Sequence, residues 1–394
     1  MQRIYVVGTA DTKGAELQFL AEAIRLRGGH PVIVDVGIRA PGLVPDISAA
    51  DVASHGAPGL LSLPDRGAAV SAMADAFARF IATRKNIAAI IGIGGSGGTA
   101  IVTAGMRALP IGLPKLMVST LASGDTAPYV GVSDILMMPS ITDLAGLNRI
   151  SRVILERAAA AIAAMAATPM APPSDRPAIG LTMFGVTTPA VMQILDRLGS
   201  AVEGVVFHAT GTGGRSMEAL VDSGLLTGVL DITTTEVADL LCGGMLPAGP
   251  DRLDCIARTG VPYVGSVGAC DMVNFWAPET VPTRYQGRLF HPHNANVTLM
   301  RTNAAECAAI GTWIANKLNR CAGPVHVLIP EAGVSALDIA GGAFFDPVAD
   351  AALFDALDLG LDRTVTRHLT RLPLHINDPA FADAVVAAYR ALSL

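Results

Sequence analysis

The feature that most limits how this chain can fold is residues 87–99, where a short apolar run breaks into a cluster of glycines. The apolar part is typical of a parallel strand that is buried on both faces. The small residues that follow, among them Ala104 and Gly105, are typical of a helix packed closely against a sheet. We therefore expect a strand, a glycine-rich turn and a helix, which together form a unit of an α/β fold.

The glycine-rich turn predicts an anion site. Glycine lets the backbone come close to a ligand, and the free N–H groups of a helix N-terminus attract a phosphate. The turn lacks the lysine of a P-loop and the spacing of a Gly-x-Gly-x-x-Gly fingerprint. The alternative is a close-packed turn without a ligand, although glycine fills five of the positions 92–98, more than a turn needs. The predicted site comprises Gly94, Gly95, Ser96, Gly97, Gly98 and Thr99.

The chain's length and composition indicate two α/β domains. Its 394 residues exceed one ordinary core, and 51% hydrophobic with 16% charged residues suits buried parallel sheets. Segment 168–177 is rich in proline, and the strand–helix pattern restarts after it. We predict two Rossmann-like subdomains with mainly parallel sheets, residues 1–167 and 178–394, joined by a Pro-rich linker.

The net charge and the spacing of the cysteines argue against several classes of binding partner and of structural site. A net charge of −6 argues against nucleic acid as a partner. Five scattered cysteines without a Cys-x-x-Cys pair argue against a disulfide framework or structural zinc. The first strand does not read as a signal peptide, and the uncharged window 86–106 is interrupted by glycines, which disfavours a membrane span. We expect a cytoplasmic protein that does not bind membranes and forms a homodimer or higher homo-oligomer.

In the first half, polar residues follow two predicted strands. Ligands of such folds collect at the carboxyl ends of the strands. Lys13 is placed to meet a phosphate, and Asp11 or Asp125 to hold Mg²⁺ through water. Alternatively, Asp11 or Thr12 only caps the following helix. The nucleotide-binding candidates beyond the glycine turn are Thr9, Asp11, Thr12, Lys13, Ser119 and Thr120, and the metal candidate is Asp125.

The second half supplies acid–base chemistry. The catalytic candidates are His208, Glu236 and Glu331, and a second glycine turn predicts a substrate site made of Gly211, Thr212, Gly213, Gly214, Arg215 and Ser216. His291 and His293 would face one side of a strand and share a metal, or else belong to a polar loop around Pro292. A nucleophilic cysteine is disfavoured, because no histidine lies nearby to activate it.

Several segments taken together resemble a known family. They are 8–13, 94–99 and 116–124 in the first half, and 209–218, 231–236 and 333–338 in the second. The set resembles the Tm-one-like ATP-binding family, which comprises bacterial proteins of about this length and the N-terminal region of a plant tomato mosaic virus resistance protein. The resemblance implies two Rossmann-like subdomains, ATP with Mg²⁺ as ligand, and a dimer. Binding of a viral replication protein is not expected here, since the plant protein continues into a TIM barrel that this sequence lacks.

Two functions follow as expectations. The first is an ATP-dependent or ATP-regulated enzyme that acts on a small anionic metabolite in a cleft between the two domains. The alternative is a nucleotide-binding module that acts through protein partners without catalysis. A nucleotide-independent hydrolase or lyase is the weakest reading, because only the polar inventory of the second half supports it. The many polar groups at strand ends favour the enzyme.

Overall fold

The chain divides into two compact units, Met1–Pro172 and Pro173–Leu394. The computed structural model describes residues 2–169 and 175–392. The predicted linker at 168–177 contains residues 170–174, which lie outside the described residues, as do the predicted domain ends at 1 and 394.

The first unit is a five-stranded parallel sheet with helices around it. The strand order is β2-β1-β3-β4-β5, so the chain reverses direction across the sheet between β1 and β3. Ligands of doubly wound sheets bind at this kind of switch point. The strands are β1 Arg3–Gly8, β2 Pro31–Asp35, β3 Ile87–Gly94, β4 Lys115–Ser119 and β5 Leu136–Pro139, and the helices are α1 Ala10–Arg25, α2 Ala49–Ala53, α3 Arg66–Ala82, α4 Ser96–Arg107, α5 Ala127–Val130 and α6 Arg149–Ala167.

Apolar runs explain the core of this unit. Strands β1 to β4 are largely buried on both faces, with α1 and α6 packed on one side and α3 and α4 on the other, whereas edge strand β5 is partly exposed. Gly105 of α4 allows the two helices of the second layer to approach closely, because a Cβ there would overlap the ring of Phe77. The glycine turn after β3 lies at the carboxyl edge of the sheet, between β3 and α4.

The second unit repeats the same winding. Its six-stranded parallel sheet has the order β14-β13-β9-β8-β6-β7, which is the order of the first unit extended by one strand. Its strands are β6 Ala178–Met183, β7 Glu203–His208, β8 Gly228–Thr233, β9 Tyr263–Gly268, β10 Met272–Phe275, β11 Phe290–Asn294, β12 Val297–Arg301, β13 Val325–Pro330 and β14 Arg367–Leu372. Its helices are α7 Thr188–Leu198, α8 Thr212–Asp222, α9 Thr235–Cys242, α10 Asp254–Thr259, α11 Ala304–Leu318, α12 Pro347–Gly360 and α13 Pro379–Leu392. The predicted fold class, two Rossmann-like α/β subdomains, is confirmed.

An antiparallel insertion departs from the expected pattern. Strands β10, β12 and β11 form a separate three-stranded sheet, which is inserted in the sequence between β9 and β13. His291 and His293 lie in β11, and the pairing register shifts between Pro292 and Asn294. The strand alternative for this segment is therefore the one observed. Among the residues that the structure describes, no helix has the length and apolar character needed to span a membrane.

Candidate functional site

A polar pocket of about 250 Å³ lies at the carboxyl ends of β1 and β3 in the first unit. The loop from β1 to α1 and the loop from β3 to α4 form its walls, which places it at the switch point of the sheet. It brings together many residues that the sequence had placed in two separate segments. Its lining consists of Thr9, Asp11, Thr12, Lys13, Val36, Ile38, Arg39, Arg66, Val70, Gly95, Ser96, Gly97, Gly98 and Ile101.

Packing requires glycine at only one position of this turn, Gly94, and not at Gly95, Gly97 or Gly98. A Cβ on Gly94 would lie 2.7 Å from the backbone nitrogen of Thr99, which is too close for any side chain. At Gly95, Gly97 and Gly98 the nearest atoms would be 3.8, 3.6 and 3.7 Å away, which is ordinary contact. None of the three has a positive φ. Glycine within a helix costs up to about 1 kcal/mol relative to alanine, so the packing of this chain gives no reason for glycine at these positions.

Both helices that begin at the pocket lack a side-chain cap. The N-cap residues are Thr9 for α1 and Gly95 for α4; the Thr9 hydroxyl accepts no hydrogen bond from a backbone N–H of α1, and Gly95 has no side chain that could do so for α4. The first N–H groups of a helix have no partner within the helix. In α4 these groups belong to Ser96, Gly97 and Gly98, all of which line the pocket. The arrangement offers backbone donors and a positive dipole end to an anion.

Three cations add to this positive character. The Lys13 ammonium lies at the pocket wall and donates to the Leu144 carbonyl at 2.6 Å, which leaves two of its three protons available. The guanidinium groups of Arg39 and Arg66 belong to exposed residues of the lining. Sequence reasoning missed both arginines. Arg39 follows the end of β2 by four residues, so its position at a strand end was the available signal, whereas Arg66 begins a helix remote in sequence.

Two carboxylates lie at the same edge. Asp35 ends β2, is fully buried, and its Oδ1 accepts from the N–H groups of Ala10 at 2.9 Å and Gly37 at 2.7 Å. Burial raises the pKa of Asp35, the two N–H donors oppose this, and the nearby Asp11 adds to it. Asp35 Oδ2 and Asp11 Oδ1 are buried without a partner. A Cβ on Gly37 would lie 2.9 Å from Asp35 Oδ1 and 3.3 Å from Asp11 Oδ1, so both carboxylates border the same small space.

The remaining predicted residues of the first unit lie elsewhere. Ser119 and Thr120 line a neighbouring pocket at the ends of β4 and β5. Thr99 is buried and its hydroxyl pairs with that of Ser119 at 2.7 Å, which ties α4 to β4. Asp125 is exposed, and its Oδ1 accepts from the N–H of Ala127 at 3.0 Å. Asp125 thus makes a local turn contact, and a metal role for it stays a prediction; among the described residues of this unit, the carboxylate oxygens that are buried without a partner belong to Asp11 and Asp35.

In the second unit the three predicted catalytic residues do not converge. His208 is exposed at the end of edge strand β7, and its ring lies tilted against that of Phe184 with the ring centroids 5.0 Å apart. Desolvation lowers the pKa of His208. Glu331 is exposed and pairs with Arg371 at 2.7 Å. Glu236 is fully buried in α9. Each is therefore engaged in its own local contacts.

Glu236 belongs to a buried ion cluster centred on Arg252. The guanidinium bonds Glu236 at 2.5 Å, Asp231 at 2.8 Å and Glu218 at 2.9 Å. The hydroxyls of Thr182 and Tyr263 donate to Asp231 as well. Burial raises the pKa of Glu218 and the charge of Arg252 opposes that rise. The cluster ties β8 to α8 and α9.

This cluster accounts for the second glycine turn. The N–H of Gly211 donates to Glu236 Oε2 at 2.6 Å. A Cβ on Gly214 would lie 2.8 Å from the Arg252 Nε, and one on Gly213 would meet the backbone of His208. The turn packs around an internal carboxylate, and Thr212, Arg215 and Ser216 continue into α8. At the equivalent switch point of this unit, between β6 and β8, the buried hydroxyls of Thr187 and Thr233 contact each other at 2.7 Å.

Metal-ligand clusters of three or more side chains do not occur in the described parts of the chain. His291 and His293 therefore form no such cluster with a carboxylate there. All five cysteines are free and buried.

Comparison with known proteins gives one family. Residues 2–171 match the N-terminal domain, and residues 176–393 the C-terminal domain, of an uncharacterised protein family, UPF0261. A UPF0261 protein of Rhizobium meliloti is 66% identical over 99% of both chains. One from Clostridium tetani is 43% identical over 98% of this chain and 97% of its own. The ToMV resistance protein Tm-1 of Solanum lycopersicum is 40% identical over 99% of this chain, which corresponds to 56% of the tomato protein.

Proposed function

This chain belongs to the UPF0261 family, and we propose that it binds ATP with Mg²⁺ in the switch-point pocket of the first unit, as an ATP-dependent or ATP-regulated enzyme. The observation that carries the proposal is the set of glycines at 95, 97 and 98. The fold has room for side chains at all three positions, yet none is present beside two uncapped helix ends. Close approach of a ligand to the backbone is the physical reason for glycine that remains.

A polyphosphate suits the charges around these glycines. Backbone N–H groups of the first turn of α4 and the ammonium of Lys13 bind its oxygens, and the guanidinium groups of Arg39 and Arg66 neutralise its charge. The volume of about 250 Å³ is small for a whole nucleotide, so it fits the phosphate chain and its immediate neighbour. The apolar side chains of Val36, Ile38 and Val70 provide a wall on one side for the remainder.

The residues present also fit Mg²⁺. Asp11 and Asp35 each have a buried carboxylate oxygen without a partner, and the missing Cβ of Gly37 leaves a space that both carboxylates border. Magnesium keeps several waters and needs only one or two protein carboxylates when phosphates supply other ligands. When bound, Mg²⁺ neutralises phosphate charge. Asp11 and Asp35 would hold it, and the N–H groups of Ala10 and Gly37, which donate to Asp35 Oδ1, would orient that carboxylate.

A nucleotide-binding module that acts through a protein partner is the second candidate. The observation that favours it is the tomato relative, whose name is that of a virus resistance protein. The two candidates differ in turnover: an enzyme releases ADP when its co-substrate is present, whereas a module binds ATP and leaves it intact. A small anionic co-substrate, a homodimer or higher homo-oligomer and a cytoplasmic location stay predictions of the sequence.

The binding proposal is tested by Gly95→Asp. Position 95 is the N-cap of α4 and has room for a side chain, and aspartate is a favoured N-cap residue. The substituted carboxylate would occupy the N–H groups that bind phosphate and would repel it. We expect an unchanged or higher melting temperature together with a loss of MgATP affinity of at least about 100-fold by isothermal titration calorimetry.

A matched control separates charge from position. Gly124→Asp adds the same charge at an exposed glycine of the same unit, where a Cβ would meet its nearest atom at 3.6 Å. It should bind MgATP as the wild type does. Arg66→Met should weaken binding about tenfold, since a charge-assisted hydrogen bond is lost. Wild-type affinity in both Gly95→Asp and Arg66→Met would overturn the assignment of ATP to this pocket.

A further inference from the structure

We propose that the pocket at the carboxyl ends of β4 and β5 binds a neutral, polyhydroxylated small molecule. This pocket has a volume of about 460 Å³ and is distinct from the switch-point pocket. Its walls come from the segments that follow β4 and β5, which is the edge of the sheet where ligands bind in doubly wound folds. The proposal does not depend on ATP binding, and its test is separate.

The lining determines the class of ligand. Five of its side chains are hydroxyls, and its only charged side chain is the exposed carboxylate of Asp143. A hydroxyl both donates and accepts, so a row of them matches the alternating donors and acceptors of a polyol. No lysine or arginine is among the lining residues, which disfavours a carboxylate or phosphate ligand. The hydroxyl residues are Ser119, Thr120, Ser123, Ser140 and Thr142.

One of these hydroxyls, that of Thr142, is buried without a hydrogen-bond partner in the described structure. Ser119 and Ser140 are already satisfied, because the Ser119 hydroxyl pairs with Thr99 and that of Ser140 donates to the Thr142 carbonyl at 2.6 Å. Within the described residues, Thr142 Oγ1 is buried without a partner, and the hydroxyls of Thr120 and Ser123 have no protein partner either. A buried hydroxyl without a hydrogen bond costs about 1–3 kcal/mol of stability. A polar ligand that bonds the Thr142 hydroxyl would remove that cost.

The backbone beside Thr142 is strained. Ile141 has a φ of 65°, which a β-branched residue rarely adopts, and it closes a tight turn in which the Thr142 N–H donates to the Ser140 carbonyl at 2.7 Å. The side chain of Ile141 is 72% exposed, so no packing against the core compensates this strain. Backbone strain of this kind concentrates at ligand clamps. An apolar side chain at the rim provides a surface for the C–H face of a polyol.

The two pockets of this unit are neighbours. A Cβ on Gly95 would lie 3.8 Å from the Thr120 hydroxyl, and Lys13 joins the switch-point pocket to the 140–144 segment through the Leu144 carbonyl. A polyol bound here would lie beside the ATP of the proposed function. Its assignment as the co-substrate, in place of the expected anionic metabolite, rests on that proposed function.

The test uses a panel of glycerol, xylitol, D-ribose and myo-inositol, with D-gluconate as the charged comparison, measured on the full chain without nucleotide. Saturation-transfer NMR and calorimetry should detect a neutral member that binds more tightly than gluconate. Thr142→Val removes the hydroxyl that lacks a partner and keeps the shape. It should fold with a melting temperature equal to or above that of the wild type, and should bind that ligand about three- to tenfold more weakly.

Controls keep the outcome independent of folding. Thr142→Ser retains the hydroxyl and should retain most of the affinity. Ser123→Ala changes an exposed residue, so it should weaken binding without affecting stability, whereas Ser62→Ala, an exposed serine outside the lining, should change neither. Binding of no neutral member, a preference for gluconate, or unchanged affinity in both Thr142→Val and Ser123→Ala would overturn the proposal. Because the experiment contains no nucleotide, a negative result would not count against the proposal that the switch-point pocket binds ATP.

Discussion

Replacing Arg252 by methionine should destabilise the second unit strongly, because this guanidinium is the only cation in direct contact with three buried carboxylates in the described structure. It bonds Glu236 at 2.5 Å, Asp231 at 2.8 Å and Glu218 at 2.9 Å, and is itself 1% exposed. Removing one partner of a buried ion pair costs about 3–5 kcal/mol, since the remaining charge stays buried. In a unit of this size that corresponds to a fall in melting temperature of roughly 6–20 °C.

The assay is differential scanning calorimetry with urea unfolding at pH 5 and pH 8. Burial raises the pKa of Glu218 and the charge of Arg252 opposes that rise, so without Arg252 this carboxyl takes up a proton more readily and the loss should be smaller at pH 5 than at pH 8. Arg258→Met is the matched control, because it breaks an exposed ion pair with Asp222 in which the Arg258 side chain is 55% exposed. This substitution should cost at most about 1 kcal/mol of stability. Equal losses in the two variants would refute a structural role for the cluster and return Glu236 to consideration as a catalytic group.

Three further predictions concern stability, packing and reactivity. Burial raises the pKa of Asp239 and of Asp271 to about 7, so the folded chain holds protons that the unfolded chain releases near pH 4. Urea unfolding should therefore show stability that falls as pH rises from about 4 to 7 and then levels off, and a rising profile would contradict this. Gly105→Ala should lower stability by about 1–3 kcal/mol through overlap with Phe77, measured by the same method; an unchanged midpoint would show that α3 and α4 are loosely packed. Burial raises the pKa of Cys242 to about 12 and of Cys307 to about 11, so native protein should resist iodoacetamide at pH 8 and react at all five thiols when unfolded.

The layered α/β fold could be predicted because buried parallel strands are continuous apolar runs with glycine or polar residues at their ends. The strand order could not, since it depends on contacts between distant segments. The antiparallel insertion was missed for a related reason. Strand β11 contains two histidines and a proline, and it is a strand only because it pairs with β12.

The difference between local sequence patterns and contacts from distant segments also decides which parts of the sites could be predicted. Both glycine turns read alike in sequence, and neither of the helices that follow them has a side-chain cap. They differ in their surroundings, because the first turn lines a pocket. In the second, Glu236 from another helix occupies the N–H of Gly211. A polar residue at a strand end can face a ligand or an internal partner, and the partner here, Arg252, comes from a separate loop. Arg66 was missed because its position at the pocket follows from the winding of the sheet and not from a local pattern, whereas Arg39 lies just after a strand end, a signal that was not used.

Amide hydrogen exchange with and without MgATP tests the central claim most directly. The N–H groups of Ser96, Gly97 and Gly98 have no partner within α4, so they should exchange quickly in the free protein. Saturating MgATP should slow exchange at residues 95–98 and 9–13, and Gly95→Asp should abolish that effect. Unchanged exchange in both segments, or protection confined to the second unit, would contradict ATP binding at the switch point.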